Sequence, residues 1–215
     1  MTRLLVRTPW RAGRFIVVDV ETTGLDPRRD EVISYAAIPI EAGRIVPRSA
    51  VSGLVRPAAP MSPRSIEIHG LRAQDLAAAP PPGRALAPLF DAMRRRVLVA
   101  HVAEVERAFL RNHRKWLERL LPTPSVDTAV LWRLLGIERG QGDPGPRPLA
   151  EVAGSLGLPF HRPHEAEGDA LTTAQAFLAL ATHLERHGRG TVAALTSAGW
   201  RVRAWRLVHE RDVRL

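Results

Sequence analysis

Residues 15–27 read FIVVDVETTGLDP. The run at residues 15–18 is wholly apolar, yet it stops at Asp19, and Glu21 follows two places later. An apolar run of this length suits a buried strand, expected over residues 15–20. Successive strand side chains point to opposite faces, so Asp19 and Glu21 share one face at the strand's end. Two carboxylates held side by side repel each other. A divalent cation with a preference for oxygen relieves that repulsion.

The remaining composition narrows the setting. A chain of 215 residues suits one domain and is long enough to bury a sizeable core. No stretch approaches the roughly 18 apolar residues of a membrane span, so no membrane association is expected. The basic start, MTRLLVRTPWRAGR, has too short an apolar run for a secretory signal, and a cytoplasmic protein is expected. The chain has no cysteine, which excludes disulfides and thiolate metal sites. The net charge is +9, and 31 residues are lysine or arginine. Lys115 is the only lysine. Such an excess favours polyanionic partners, nucleic acid above all, and arginine's fork can donate two bonds to one phosphate.

Along the chain, residues 1–13 read as a loose basic leader. A second strand follows in EVISYAAIPI, with a turn at Ala42 and Gly43 and a third strand running to about Val55. Residues 56–83 form a proline-rich arm with one short helical turn. Helices are expected at residues 85–95, 103–120, 128–136 and 149–158, and short strands at 97–101 and 125–127. Residues 138–148, ERGQGDPGPRP, are the clearest loop and are expected to move. The longest helical segment is EAEGDALTTAQAFLALATHLERHG. The expected division is a leader at 1–13, a main domain at 14–184 and a basic, tryptophan-bearing tail at 185–215. Strands in succession followed by alternating helices and strands indicate an α/β fold, a mixed sheet flanked by helices.

Other residues extend the acidic pair. Thr22 and Thr23 offer hydroxyls and amides beside the carboxylates, where a chain terminus with a hydroxyl could be gripped. Gly24 permits close backbone approach. Glu104 and Glu106 lie just past the strand at 97–101. His164 stands five residues before Asp169 at the opening of the longest helix, where the helix dipole favours an acid. Asp127 suits a helix cap better than a ligand. Trp116, Trp132, Trp200 and Trp205 read as core or platform residues. Arg201, Arg203, Arg206, Arg211 and Arg214 in the tail suit either phosphate contact or a solvated helix edge.

In order, DVETTG, IHGLRAQDLAAAP, AHVAEVE, VDTAVLWR and HEAEGD resemble the motifs of the DEDD-type 3′–5′ exonucleases. The subgroup is the histidine-bearing one, which includes the proofreading epsilon subunit of bacterial DNA polymerase III. The resemblance spans roughly residues 14–182 and implies a ribonuclease H-like fold. It implies that Asp19, Glu21, Glu106 and Asp169 hold two Mg²⁺ or Mn²⁺ ions, with His164 as general base. It implies substrate contacts at Thr22, Thr23, Leu25 and His69, with His101 supporting the site. The implied activity is hydrolysis of nucleic acid, DNA preferred, from the 3′ end to 5′-mononucleotides, in proofreading or repair. The implied partners are single-stranded DNA or DNA 3′ ends, and a DNA polymerase. Trimming of RNA 3′ ends, or a non-catalytic nucleic-acid or polymerase-binding module, are the alternatives. This chain departs from the pattern in the middle motif. Glu106 stands where the family usually has aspartate, Val102 where it has asparagine and Val105 where it has phenylalanine.

Overall fold

The computed structural model describes residues 7–113 and 124–209. Its centre is a mixed sheet whose strand order is β3-β2-β1-β5-β6. Strand β1 (Arg14–Thr22) pairs antiparallel with β2 (Val32–Glu41) and parallel with β5 (Val97–Ala100). Strand β5 pairs parallel with β6 (Ser125–Asp127). The turn at Ala42 and Gly43 has both residues at positive φ, the geometry that suits a two-residue hairpin. It leads into β3 (Arg44–Ile45), and after a 3₁₀ turn the chain rejoins the same edge of β2 as β4 (Val51–Leu54). The expected third strand is therefore two pieces split by Pro47, whose ring cannot donate to a ladder.

The helices are α1 (Pro63–His69), α2 (Ala73–Leu76), α3 (Pro82–Ala85), α4 (Ala87–Met93), α5 (Glu104–Arg111), α6 (Thr128–Glu138), α7 (Leu149–Ser155), α8 (Ala166–Arg186), α9 (Val192–Thr196) and α10 (Ala198–His209). Strand alternation divides them into two layers. Phe15 and Val17 face a core built with Leu131, Val152, Phe177, Leu195 and Val202, on α6 to α10. Ile16 and Val18 face a second core with Leu89, Phe90 and Phe109, on α4 and α5. Asp19 and Glu21 continue the Phe15 and Val17 register, because the β1–β2 pairing stays regular until a shift between Glu21 and Thr22. Both acids therefore face the α8 layer.

Three expectations change here. The leader is not loose in its described part. Trp10 is buried, its ring meets Phe177 edge-on at 5.9 Å, and its backbone N–H donates to the Gly190 carbonyl at 2.9 Å. Apolar burial outweighs the basic composition of that segment. The arm at 56–83 contains two short helices, α1 and α2, and the start of α3, rather than one turn. Ser62 caps the first by accepting from the Ser65 N–H at 3.1 Å. The loop at 138–148 is tied down, since Asp143 forms a two-pronged ion pair with Arg133, at 2.9 and 2.5 Å. The far end of the helix expected to reach residue 120, with Trp116, lies outside the described residues, as do Arg211 and Arg214. Among the described residues, no helix is long and apolar enough to cross a membrane.

Candidate metal centre and cleft

The site forms at the C-terminal ends of β1 and β5, where the first turns of α5 and α8 converge. Oxygens of Asp19, Glu21 and Asp169 lie within 4.8 Å of one another. Asp169 reaches β1 because α8 starts directly over the face that Asp19 and Glu21 occupy. Its Oδ2 accepts the His164 backbone N–H at 3.0 Å, while its Oδ1 is buried with no hydrogen-bond partner.

Glu106 is placed differently. It is buried in the first turn of α5, which packs on the opposite face of the sheet, and it approaches the cluster over the end of β5. Its charge raises the pKa of Asp19, yet it is not among the three that meet within 4.8 Å. Its Oε2 is also buried without a partner. Burial is the largest cause of an upward pKa shift at each of the four acids. Asp19 rises well above the usual carboxylate range, with Glu106, Glu21 and Asp169 adding repulsion. Glu21 is pushed up to about 7, with Asp169 adding to burial, and Glu106 to about 8. Desolvated carboxylates, with orphaned oxygens on Glu106 and Asp169, form an all-oxygen donor set. That set fits a hard divalent cation.

An open cleft of about 450 Å³ runs beside the cluster, and Glu21, His69, His164 and Glu167 line it. His164 is exposed and holds a left-handed backbone, φ 60°. Its loop is pinned on several sides. The His161 N–H donates to the Thr172 hydroxyl, and Arg162 pairs with Glu165 and Glu167. Gly168 lets the loop lie against α8, since a Cβ there would stand 2.3 Å from the Arg162 carbonyl oxygen. His69, on the last turn of α1, accepts the Leu71 N–H on Nδ1 at 3.1 Å. That bond places the neutral ring's proton on Nε2, which is buried without a hydrogen-bond partner. Burial lowers the His69 pKa; the Thr22 backbone opposes the shift and His164 adds to it. Burial thus favours the neutral ring.

Thr23 and His101 are both engaged in hydrogen bonds within the protein. Thr23 is fully buried, and its hydroxyl sits between the Asp30 carboxylate and the Glu31 N–H at 3.0 Å each. Its backbone bonds Glu31 and Ser62, so Thr23 anchors loops beside the acids. His101 bonds Thr128 Oγ1 and the Arg147 carbonyl, each at 2.9 Å, which uses both ring nitrogens. It ties the end of β5 to α6 and the following loop. The Thr22 hydroxyl donates to the Gly24 carbonyl at 2.6 Å and keeps lone pairs to accept with. Leu25 is 79% exposed just past β1, so core packing does not explain it. Asp127 is a cap, accepting from Ala129, Val130, Val102 and Ala103 amides. Reading the sequence missed Ser52 and Glu167, which meet across the cleft through a 2.5 Å hydrogen bond. A lone serine in an edge strand carries no pattern that marks it.

Residues 16–177 match the sequence profile of a family described as exonuclease (RNase_T). The chain is 32% identical over 195 residues to a DNA polymerase III subunit epsilon-like protein of Rhodobacter capsulatus, covering 89% of this chain and 27% of the relative. It is 33% identical over 178 residues to a PolC-type DNA polymerase III of Thermotoga petrophila, covering 81% of this chain and 12% of the relative. The chain thus spans only about a quarter or less of the length of these relatives. Against the epsilon subunit of DNA polymerase III from Aquifex aeolicus it is 27% identical, covering 80% of this chain and 82% of the relative. Among solved structures, exonuclease X in complex with 5′-overhanging duplex DNA superposes with TM-score 0.65 at 23% identity, covering 86% of this chain and 98% of that one. E. coli exonuclease I in complex with a dT13 oligonucleotide gives 0.70 at 18% identity, covering 81% and 42%. The architecture is the ribonuclease H-like mixed sheet flanked by helices. A profile match that runs from the first acidic strand through most of α8 establishes that the chain belongs to the exonuclease family.

Proposed function

We propose that the protein is a metal-dependent 3′–5′ exonuclease that hydrolyses DNA from the 3′ end to 5′-mononucleotides, in proofreading or repair. The observation that carries this reading is the convergence of Asp19, Glu21 and Asp169 beside a cleft walled by two histidines, in a chain of the exonuclease family. The polymerase names among the relatives support DNA as the substrate and a DNA polymerase as partner.

Asp19, Glu21 and Asp169, with Glu106 against Asp19, would hold two Mg²⁺ or Mn²⁺ ions. Bound there, such ions lower the pKa of an attacking water and stabilise the leaving 3′ oxygen. His164 stands at the open wall beside Glu21, where its ring can take the proton of that water. The bond from its backbone N–H to Asp169 fixes the loop relative to the acids. The Nε2–H of His69, which lies beside the Thr22 backbone, would turn to the sugar or phosphate of the terminal nucleotide. Thr22 would accept from the terminal hydroxyl, and Leu25 would wedge beside the last base.

Glu106, standing outside the three-acid cluster, favours a second reading, a nucleic-acid- or polymerase-binding module without catalysis. One assay separates the two. A 5′-labelled single strand is incubated with the parent or Asp19→Ala, with and without Mg²⁺ or Mn²⁺, in DNA and RNA versions. Metal-dependent shortening from the 3′ end by the parent only supports the exonuclease, and the faster substrate assigns the sugar. Intact label in every lane removes the catalytic reading.

A further inference from the structure

Helix α10 exposes a large aromatic ring that the core does not explain. Val202 is buried against α6 and its neighbours, whereas Trp200 is 74% exposed. Arg201 and Arg203 beside it are exposed as well, and neither forms an ion pair with any described residue. An indole in water with two exposed guanidinium groups beside it combines a stacking surface with phosphate donors.

The position of this patch follows from the topology. A Cβ on Gly199 would lie 3.9 Å from Val130, in the first turn of α6. That helix begins at Asp127, whose carboxylate also holds the amides of Val102 and Ala103 at the end of β5. The N-terminal end of α10 therefore lies at the same end of the sheet as the acidic cluster. It also belongs to the helix layer that Asp19 and Glu21 face. Strand β6 is two strands from β1, about 10 Å at the ordinary inter-strand spacing. A strand whose 3′ end sits at the acids needs only a few further nucleotides to reach Trp200.

We infer that Trp200, Arg201 and Arg203 form a docking platform for single-stranded nucleic acid upstream of the terminal nucleotide. A base stacks on the Trp200 indole while the two arginines contact flanking phosphates. This rests on the proposed function for its direction, since the 3′ end must lie at the acids. The platform acts on affinity for longer strands and not on the chemistry of the last bond.

The test measures binding without turnover. Fluorescently labelled dinucleotide and octanucleotide DNA are titrated in EDTA against the parent, Trp200→Ala and the Arg201→Gln/Arg203→Gln double variant. Melting temperatures confirm that each variant is folded. The parent should bind the octanucleotide more tightly than the dinucleotide. Trp200→Ala should lose about fivefold or more of the octanucleotide affinity, the lower end of the usual worth of one stacked base. Neither substitution should alter dinucleotide affinity. The double variant should flatten the dependence of log K on log salt by about 1.4, two phosphate contacts on a single strand. Octanucleotide affinity equal to the parent's in both variants overturns the inference. So does an equal loss for both lengths. A change from dimer to monomer on removing Trp200, with unchanged DNA affinity, overturns it in favour of a second copy on this face. If the parent degrades no strand at all but Trp200→Ala still weakens octanucleotide binding, the catalytic reading fails and the platform stands.

Discussion

Replacing Glu106 with glutamine should stabilise the metal-free protein at neutral pH. The side chain is buried, one of its oxygens has no partner, and burial pushes its pKa up to about 8 from the usual 4.5. Between those values the folded chain keeps a proton that the unfolded chain has released. Stability therefore falls as pH rises through this window. At pH 7.5 the unfolded carboxyl lies about three units above its own pKa, which corresponds to about 4 kcal/mol of lost stability. Glutamine keeps the shape and carries no charge to desolvate, so the variant should recover up to that amount. For a domain of this size the gain corresponds to a rise of about 8–16 °C in Tm. At pH 4, below both values, the two proteins should melt alike. Thermal denaturation in EDTA at pH 4 and pH 7.5 measures this directly. A metal-free variant no more stable than the parent at pH 7.5 would refute the reasoning, because Glu106 would then be neutralised by something other than a bound proton or cation.

Other outcomes follow from the same geometry. Adding Mg²⁺ or Mn²⁺ should raise Tm more at pH 8 than at pH 5. Glu21, held at about 7, and Asp19, raised further by burial, retain protons at the lower pH and compete with the cation; equal shifts at both pH values would contradict the cluster as the binding site. Val102→Asn should stabilise the fold by about 1 kcal/mol, because Val102 has φ 63°, a left-handed conformation that a β-branched side chain resists and asparagine tolerates; urea denaturation at fixed pH reads the change. Gly168→Ala should lower kcat tenfold or more, because its Cβ collides with the loop that carries His164 while α8 itself favours alanine; an unchanged kcat would show that the loop position is immaterial.

The parts of this protein that could be read from its sequence are those governed by local periodicity. Alternation along residues 15–21 placed Asp19 and Glu21 on one face, and the structure shows them facing Asp169 at the start of α8. The cap at Asp127 and the turn at Ala42 and Gly43 were readable because they depend on short-range backbone geometry. What escaped depends on packing across the chain. Trp10 sits in a basic segment, and only its contact with Phe177, far along the sequence, makes it core. Thr23 and His101 look like ligand donors in a linear motif, and their bonds to Asp30, Glu31, Thr128 and Arg147 appear only in three dimensions. Glu106 follows the motif order, but its helix packs on the other face of the sheet, so sequence position alone could not show that it acts on Asp19 from outside the three acids that meet within 4.8 Å.

The most direct test of the metal centre is a crystal soaked in Mn²⁺ and examined by anomalous scattering. The account predicts an ion between β1 and the start of α8, with oxygens of Asp19, Glu21 and Asp169 at about 2.1 Å, the distance hard divalent ions of this size adopt. No anomalous peak between those three carboxylates at millimolar Mn²⁺ and pH 8 would contradict it.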